Sequence, residues 1–131
     1  MKNQNIKIIK LKIVPNIKGD ILKFLQKDKM FNIKFSEIYF SEIKKGHIKG
    51  WNLHKRSFCF IAVPYGRVKF KIKNKKFKTV KEIIISKKNY KCLLIPPLFW
   101  FSFQSMSKLS VIANVTNKIH SKTETLKIPI S

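Results

Sequence analysis

The chain has 131 residues, of which 44% are hydrophobic, and its formal net charge is +23, from 29 lysines and arginines against six acidic residues. This length suits one domain and excludes two, and the hydrophobic share excludes a disordered chain, so residues 1–131 are expected to fold as a single domain. Lysines alternate with apolar residues along the whole chain, which favours a solvated surface over a nucleic-acid groove. Nucleic acid is therefore not the expected partner, and a small ligand is expected to be anionic.

Period-two alternation and β-branched runs predict an all-β protein. The predicted strands, in chain order, are Ile6–Val14, Ile33–Ile43, Phe58–Val63, Arg67–Ile72, Val80–Ile85, Lys91–Ile95, Phe99–Gln104 and Leu109–Val115. Between the first two, a short helix is predicted around Gly19–Lys27, which Asp20 would cap. Many short strands joined by short turns are typical of a sandwich or a small barrel.

Targeting signals and reactive cysteines are not evident. Lysines interrupt every apolar group in the first segment, MKNQNIKIIKLKIVPN, unlike a signal peptide, and no stretch approaches transmembrane length. Cys59 and Cys92 have neither a CxxC spacing nor a metal-ligand spacing, so they are interpreted as buried thiols in a reducing compartment. These observations predict a cytoplasmic protein with no membrane span.

The stretch from Gly46 to Gly66, GHIKGWNLHKRSFCFIAVPYG, has the glycine spacing of the first motif of the cupin superfamily. The metal-ligand positions of the two cupin motifs fall on Asn52, His54, Cys59 and Phe101. Because a transition metal needs three or more donors, His54 cannot hold one alone. Neither a metal ion nor another cofactor is expected.

Four segments carry a closer resemblance: SEIYFSEIKKGHIKGWNLHKR, VPYGRVKFKI, EIIISKKNYKCLLIPPLFWFSFQ and LSVIANVTNKIHS. They resemble the metal-free, RmlC-like cupins that act on nucleotide-linked sugars, namely the dTDP-4-dehydrorhamnose 3,5-epimerase relatives and the shorter dTDP-sugar 3,4-ketoisomerases. The resemblance implies a single-domain cupin jelly-roll β-barrel and a homodimer, in which the first predicted strand would pair with a neighbouring subunit. It also implies an epimerase or ketoisomerase of a dTDP-linked 4-keto-6-deoxy sugar in surface-polysaccharide biosynthesis.

The ketoisomerase pattern Arg-Gly-x-His-x-His-Lys falls on residues 49–55, KGWNLHK. By this resemblance the usual catalytic base is replaced by Asn52, so His54 becomes the candidate base, with Lys49 or Lys55 stabilising negative charge. Trp51 and Phe101 either fill the core or line a pocket for a sugar or a nucleotide base. The residues expected to bind substrate are thus Lys49, Trp51, Asn52, Lys55 and Phe101. Three further proton carriers, which spacing does not distinguish, are Tyr39, Tyr65 and His120.

Two alternatives to an enzyme stay open. The loss of the usual base suits a non-catalytic cupin that binds a nucleotide sugar or a partner enzyme. The charge alone suits a nucleic-acid-binding β-barrel, whose affinity would fall steeply with salt.

Overall fold

The computed structural model describes residues 5–26, 34–118 and 123–128, and the regular structure in these ranges is entirely β-strand. The twelve strands are β1 (Lys7–Lys10), β2 (Ile13–Val14), β3 (Ile21–Leu22), β4 (Glu37–Lys44), β5 (Ile48–His54), β6 (Cys59–Tyr65), β7 (Arg67–Lys73), β8 (Thr79–Ser86), β9 (Lys91–Ile95), β10 (Trp100–Ser105), β11 (Leu109–Thr116) and β12 (Thr125–Lys127). None of the described residues belongs to a helix long and apolar enough to cross a membrane.

Ten of the strands form two five-stranded sheets with the orders β1-β9-β6-β11-β4 and β12-β5-β10-β7-β8. The strand pairs are antiparallel, and a core that includes Phe70, Ile72, Leu93 and Ile112 fills the space between the sheets. This confirms the all-β prediction and is the two-layer arrangement of a jelly roll. In the described part of the chain the two sheets are not joined into a closed barrel.

The alternation of lysine with apolar residues has its explanation in β7, RVKFKIK. Val68, Phe70 and Ile72 are fully buried on the inner side, while Lys69 and Lys71 lie on the outer side and reach solvent. Successive side chains of a strand point to opposite faces, so one face joins the core and the other carries charge. Burying each of these apolar side chains contributes about 1.5–3 kcal/mol to stability.

The first predicted strand, Ile6–Val14, is divided into β1 and β2, and the predicted helix at Gly19–Lys27 is wrong across its described residues. Ile13 pairs with Leu22 in a β2–β3 hairpin instead. Asp20 accepts a hydrogen bond from the backbone N–H of Asn16 at 3.0 Å, which closes the hairpin turn and caps no helix. The physical reason is packing, because this segment lays apolar side chains on the outer face of the first sheet. Those side chains include Ile13, Leu22, Phe24 and Leu25.

The other predicted strands correspond to β4 and β6–β11, and their ends differ by at most two residues, except that β4 begins only at Glu37. Three strands, β3, β5 and β12, were not predicted, and Ile33 lies outside the described residues. Cys59 and Cys92 are free and buried, as expected. Burial raises the pKa of each thiol to about 12, so neither is a reactive nucleophile at neutral pH.

Candidate active site

A cavity of about 380 Å³ lies between the two sheets. Five of its lining residues come from the first sheet: Tyr39 and Ser41 of β4, Ile61 of β6, and Ile112 and Asn114 of β11. The rest come from the second sheet: Lys49, Gly50, Asn52 and His54 of β5, Phe101 and Phe103 of β10, and Thr125 and Lys127 of β12. The apolar residues line part of the wall and a set of polar side chains faces the same space, which is the usual composition of a small-molecule site.

A bulge in β5 determines which side chains enter the cavity. Asn52 pairs with Phe101 and Lys49 with Phe103, so β5 has one residue more than β10 in this interval. Strict alternation would place Lys49 and Asn52 on opposite sides of β5, whereas the extra residue brings both to the cavity.

Glycine is required inside this bulge, at Gly50. A Cβ there would lie 2.7 Å from the carbonyl oxygen of Phe101, and the φ of +124° belongs to the region that glycine alone adopts readily. The close approach of β5 to β10 therefore depends on the absence of a side chain at this position.

His54 ends β5 and is 9% exposed. Its Nδ1 lies 3.0 Å from Oγ1 of Thr125, and its ring centroid lies 5.7 Å from that of Phe101. The backbone carbonyl of His54 accepts a hydrogen bond from the N–H of Leu98 at 2.8 Å. Three contacts thus orient the imidazole: the Thr125 hydroxyl at Nδ1, the Phe101 ring beside it, and the Leu98 N–H on the backbone of His54.

Tyr39 faces the same cavity from the opposite sheet. Its hydroxyl accepts a hydrogen bond of 2.9 Å from Nδ2 of Asn114, which is 5% exposed. Burial, with the nearby Cys59, raises the pKa of Tyr39 to about 12, and the Asn114 hydrogen bond only partly opposes this shift. Tyr39 therefore keeps its proton at neutral pH and can act as a proton donor. The Oδ1 of Asn114 is buried without a hydrogen-bond partner among the described residues.

Two lysines supply positive charge to the cavity. Lys49 donates a hydrogen bond from Nζ to Oγ of Ser41 at 3.1 Å, which bridges the two sheets. Lys127 is paired directly with Asn52 across the β12–β5 ladder, so it projects from the same face. An anionic group would be attracted to this part of the cavity.

Four of the six residues predicted for the site come together here, namely His54, Asn52, Lys49 and Phe101. Trp51 does not line the cavity, since its ring packs edge-on against Phe77 at 5.2 Å beneath the ammonium of Lys73. Lys55 is exposed beyond the end of β5 and does not line it either. Trp51 neighbours Asn52 in sequence, and alternation along the strand turns it away from the cavity.

Among the further proton carriers the structure distinguishes Tyr39. Tyr65 is 63% exposed at the end of β6 and does not line the cavity, and His120 lies outside the described residues. Across the ranges described, no group of three or more His, Cys, Asp or Glu residues could hold a metal ion.

Sequence reasoning missed Thr125, Lys127 and Asn114. The polarity of β12 is inverted, because Thr125 and Lys127 face the cavity while Leu126, on the other side, is 44% exposed. β4 shows the same inversion, with Tyr39 and Ser41 inside and Phe40 70% exposed outside. Alternation was the available signal, but it assigns polar residues to solvent unless a polar cavity is already known.

Comparisons with known proteins agree with this architecture. The family model described as "FdtA: WxcM-like, C-terminal" matches residues 4–127. No curated protein matches the sequence significantly. The chain is similar to the dTDP sugar isomerase of Desulfovibrio desulfuricans G20, with 26% identity, a TM-score of 0.90, and coverage of 96% of this chain and 85% of that one.

Two further solved structures share the fold at lower identity. QdtA, a sugar 3,4-ketoisomerase from Thermoanaerobacterium thermosaccharolyticum solved with TDP, has 19% identity and a TM-score of 0.80 over 93% of this chain and 87% of that one. RmlC, a dTDP-6-deoxy-D-glucose-3,5-epimerase from Legionella pneumophila solved with dTDP-4-keto-L-rhamnose, has 20% identity and a TM-score of 0.82 over 94% and 72%. These similarities confirm the predicted RmlC-like cupin fold.

Proposed function

This chain belongs to the family described as FdtA, WxcM-like, C-terminal, and we propose that it is a sugar-nucleotide isomerase acting on a dTDP-linked 4-keto-6-deoxy sugar. The similarity to a dTDP sugar isomerase along nearly the whole chain supports an enzyme of the carbohydrate isomerase type. The observation that carries the proposal is a single cavity lined by His54 from the second sheet and Tyr39 from the first. Lys49 and Lys127 line the same cavity.

The reaction that suits this arrangement is a proton transfer next to a carbonyl group. A base removes the proton on the hydroxyl-bearing carbon beside the keto group, which leaves an enediolate shared by the two carbons. Returning a proton to the former carbonyl carbon, while the hydroxyl proton passes from one oxygen to the other, moves the keto group by one position. Returning a proton to the original carbon from the other face inverts that centre. Either outcome needs a base, a proton donor and a positive charge near the enediolate oxygen.

We assign these roles to side chains of the cavity. His54 is the base, because its imidazole lines the cavity and a neutral imidazole can take up a proton. Tyr39 is the proton donor, since its phenol is protonated at neutral pH and it lines the cavity from the opposite sheet. Lys49 stabilises the negative charge of the enediolate or of the diphosphate, and Phe101 packs against the sugar or the nucleotide base.

Asn52 favours a second candidate function. It lies in the cavity, two residues before His54, at the position where the resemblance places the usual base, and an amide cannot take up a proton. A non-catalytic cupin that binds a nucleotide sugar, or a partner enzyme that carries one, would keep the cavity without that base. In this alternative Asn52 serves as a hydrogen-bond partner for the ligand.

Turnover and binding separate the two functions. The purified chain is incubated in deuterated water with dTDP-4-keto-6-deoxyglucose, and deuterium uptake and product formation are followed by proton NMR. We expect uptake that His54→Gln lowers by about 100-fold or more, since a positioned general base contributes that much. His47→Gln is the matched control, because His47 is exposed on a turn and does not line the cavity.

Tyr39→Phe should reduce turnover, with Tyr65→Phe as its control. Binding without any uptake would support the non-catalytic alternative, and absence of both would contradict the two functions together.

We also propose a homodimer that works in the cytoplasm in surface-polysaccharide biosynthesis, as the resemblance implies. Ile38 and Phe40 are 52% and 70% exposed on β4, an edge strand, and their burial against a second copy would remove apolar surface from water. Sedimentation velocity should show a dimer that Phe40→Lys weakens, whereas Lys108→Glu, an exposed loop substitution, should leave it intact. A wild-type monomer at micromolar concentration would contradict this.

A further inference from the structure

The short strand β12 contributes a polar partner of the candidate base. Thr125 pairs with His54 across the β12–β5 ladder, and its Oγ1 lies 3.0 Å from Nδ1 of the imidazole. Both residues line the cavity. A threonine hydroxyl can donate or accept in such a contact, so its role depends on which ring nitrogen carries the proton.

The position of Thr125 is held by the residue before it. Glu124 is 3% exposed, and its Oε2 accepts hydrogen bonds of 2.7 Å from the backbone N–H groups of Arg56 and Ser57. Its backbone carbonyl accepts a third from the N–H of Lys55 at 2.9 Å. These bonds attach β12 to the residues that directly follow His54, and so hold the hydroxyl beside the imidazole.

The Glu124–Arg56 ion pair adds little to this attachment. Arg56 Nε lies 3.3 Å from Oε1 of Glu124, but the arginine side chain is 74% exposed, and exposed ion pairs are weak. The hydrogen bonds that Glu124 accepts from the N–H groups of residues 55–57 therefore carry the attachment.

We infer that Thr125 is a positioning residue whose hydroxyl oxygen accepts the Nδ1 proton of His54 and so holds the neutral imidazole in its Nδ1–H tautomer. A neutral imidazole has one protonated and one unprotonated nitrogen, so this tautomer leaves the lone pair on Nε2. This inference rests on the proposed function, because that lone pair is what takes the proton from the sugar carbon. The C–H electron pair stays on the sugar as the enediolate, and Nε2 gains the proton. The Nδ1–H bond to Thr125 then becomes charge-assisted, which stabilises the imidazolium.

The tautomer can be measured without any turnover. The chain has three histidines, so nitrogen-15 correlation spectra of the rings are simple, and the His54 signals are those that vanish in His54→Gln. We expect the Nδ1–H tautomer of His54 to predominate in the wild-type chain. Thr125→Val should shift the tautomer ratio toward Nε2–H by about 5-fold, the equivalent of one ordinary hydrogen bond. Thr125→Ser, which keeps the hydroxyl, should retain the wild-type ratio.

Matched controls separate orientation from stability. Thr79→Val removes a hydroxyl from an exposed position on β8, away from the cavity, and should leave the His54 signals unchanged. With dTDP-4-keto-6-deoxyglucose, Thr125→Val should lower kcat by up to about 5-fold with KM unchanged, and Thr125→Ser should restore it.

A wild-type chain in which Nε2–H predominates, or a ratio that Thr125→Val leaves unmoved, would overturn the inference even if the enzyme is active. The wild-type tautomer with no turnover would instead uphold the role of Thr125 and contradict the proposed function.

Discussion

Asn52 and His54 stand two residues apart on the cavity side of β5, and only the second can take up a proton. Their partners on β12 differ in charge, because the cationic Lys127 lies opposite Asn52 while the neutral Thr125 lies opposite His54. The Asn52 end is thus suited to hydrogen bonding with an anionic ligand, and the His54 end to proton transfer. Substitution at residue 52 therefore tests whether the lack of a second catalytic base limits the rate of proton transfer.

Asn52→His would place a second imidazole on the cavity side of β5. We expect deuterium uptake into dTDP-4-keto-6-deoxyglucose to rise by about 10-fold or more, since a positioned base contributes about 100-fold or more. Asn52→Gln keeps the amide and is the control, in which uptake should not rise. An Asn52→His chain that binds dTDP normally but shows no faster uptake would mean that residue 52 is not where the base acts.

At the scale of elements, the site depends on how β5 is held between β10 and β12. The bulge at residues 49–52 turns Lys49 inward, and β12 covers the other edge of β5 with Thr125 and Lys127. Each connection has one residue on which it depends, Gly50 for the bulge and Glu124 for β12.

Gly50→Ala should destabilise the chain by about 1–3 kcal/mol, because the new Cβ would meet backbone atoms of β10 and the backbone is in a glycine conformation. Gly46→Ala is the matched control, since its φ is +84° but no atom lies within 4 Å of the new Cβ. Thermal unfolding followed by circular dichroism should show a larger fall in Tm for Gly50→Ala. Equal falls in Tm would show that backbone conformation alone, and not the close approach of β10, requires glycine at residue 50.

Glu124 should make the attachment of β12 sensitive to acid. Burial acts to raise its pKa, but the hydrogen bonds from Arg56 and Ser57 and the arginine charge lower the pKa overall from its ordinary value of 4.5. A carboxyl whose pKa is lowered in the folded state contributes stability above its unfolded pKa, and this is lost as the pH falls through the folded value. The difference in unfolding free energy between wild type and Glu124→Gln should thus be full at pH 7 and shrink below about pH 4.5. A difference that stays constant down to pH 3 would contradict this account.

Most strands were predictable because their inner faces are apolar and their outer faces carry lysine, as in β7. β5 was not, since its bulge breaks the alternation and its cavity face is polar. His54, Asn52, Lys49 and Phe101 followed from motif spacing, which is local in sequence. Thr125 and Asn114 come from strands far along the chain, and only the pairing of the strands shows that they face the same cavity.

For the whole molecule, the charge of +23 is carried mainly by lysines on outward faces and loops. Such a field draws anions to the surface in general, whereas Lys49 and Lys127 add charge inside one cavity. A sugar nucleotide would be attracted by the first effect and retained by the second. Removing the same amount of charge inside the cavity and on an exposed loop separates these two effects.

Lys49→Gln with Lys127→Gln should weaken dTDP binding, measured by calorimetry at about 0.15 M salt, by about 100-fold or more, as each charge-assisted contact contributes about 1.5–3 kcal/mol. Lys75→Gln with Lys76→Gln lowers the net charge equally on an exposed loop and should change the affinity little. Equal losses in both variants would mean that the overall field, not the cavity, binds the nucleotide. Single-stranded DNA, tested in parallel, should bind only at low salt.

The lateness of β12 in the chain has a practical consequence for handling the protein. The hydrophobic cores are built by residues up to Val115, while two polar side chains of the cavity come from Thr125 and Lys127. Without β12 the residues of both cores would remain, yet the cavity wall would be incomplete, and the N–H groups of Arg56 and Ser57 would lose the Glu124 carboxylate. A folded core alone therefore does not show that the cavity wall is complete.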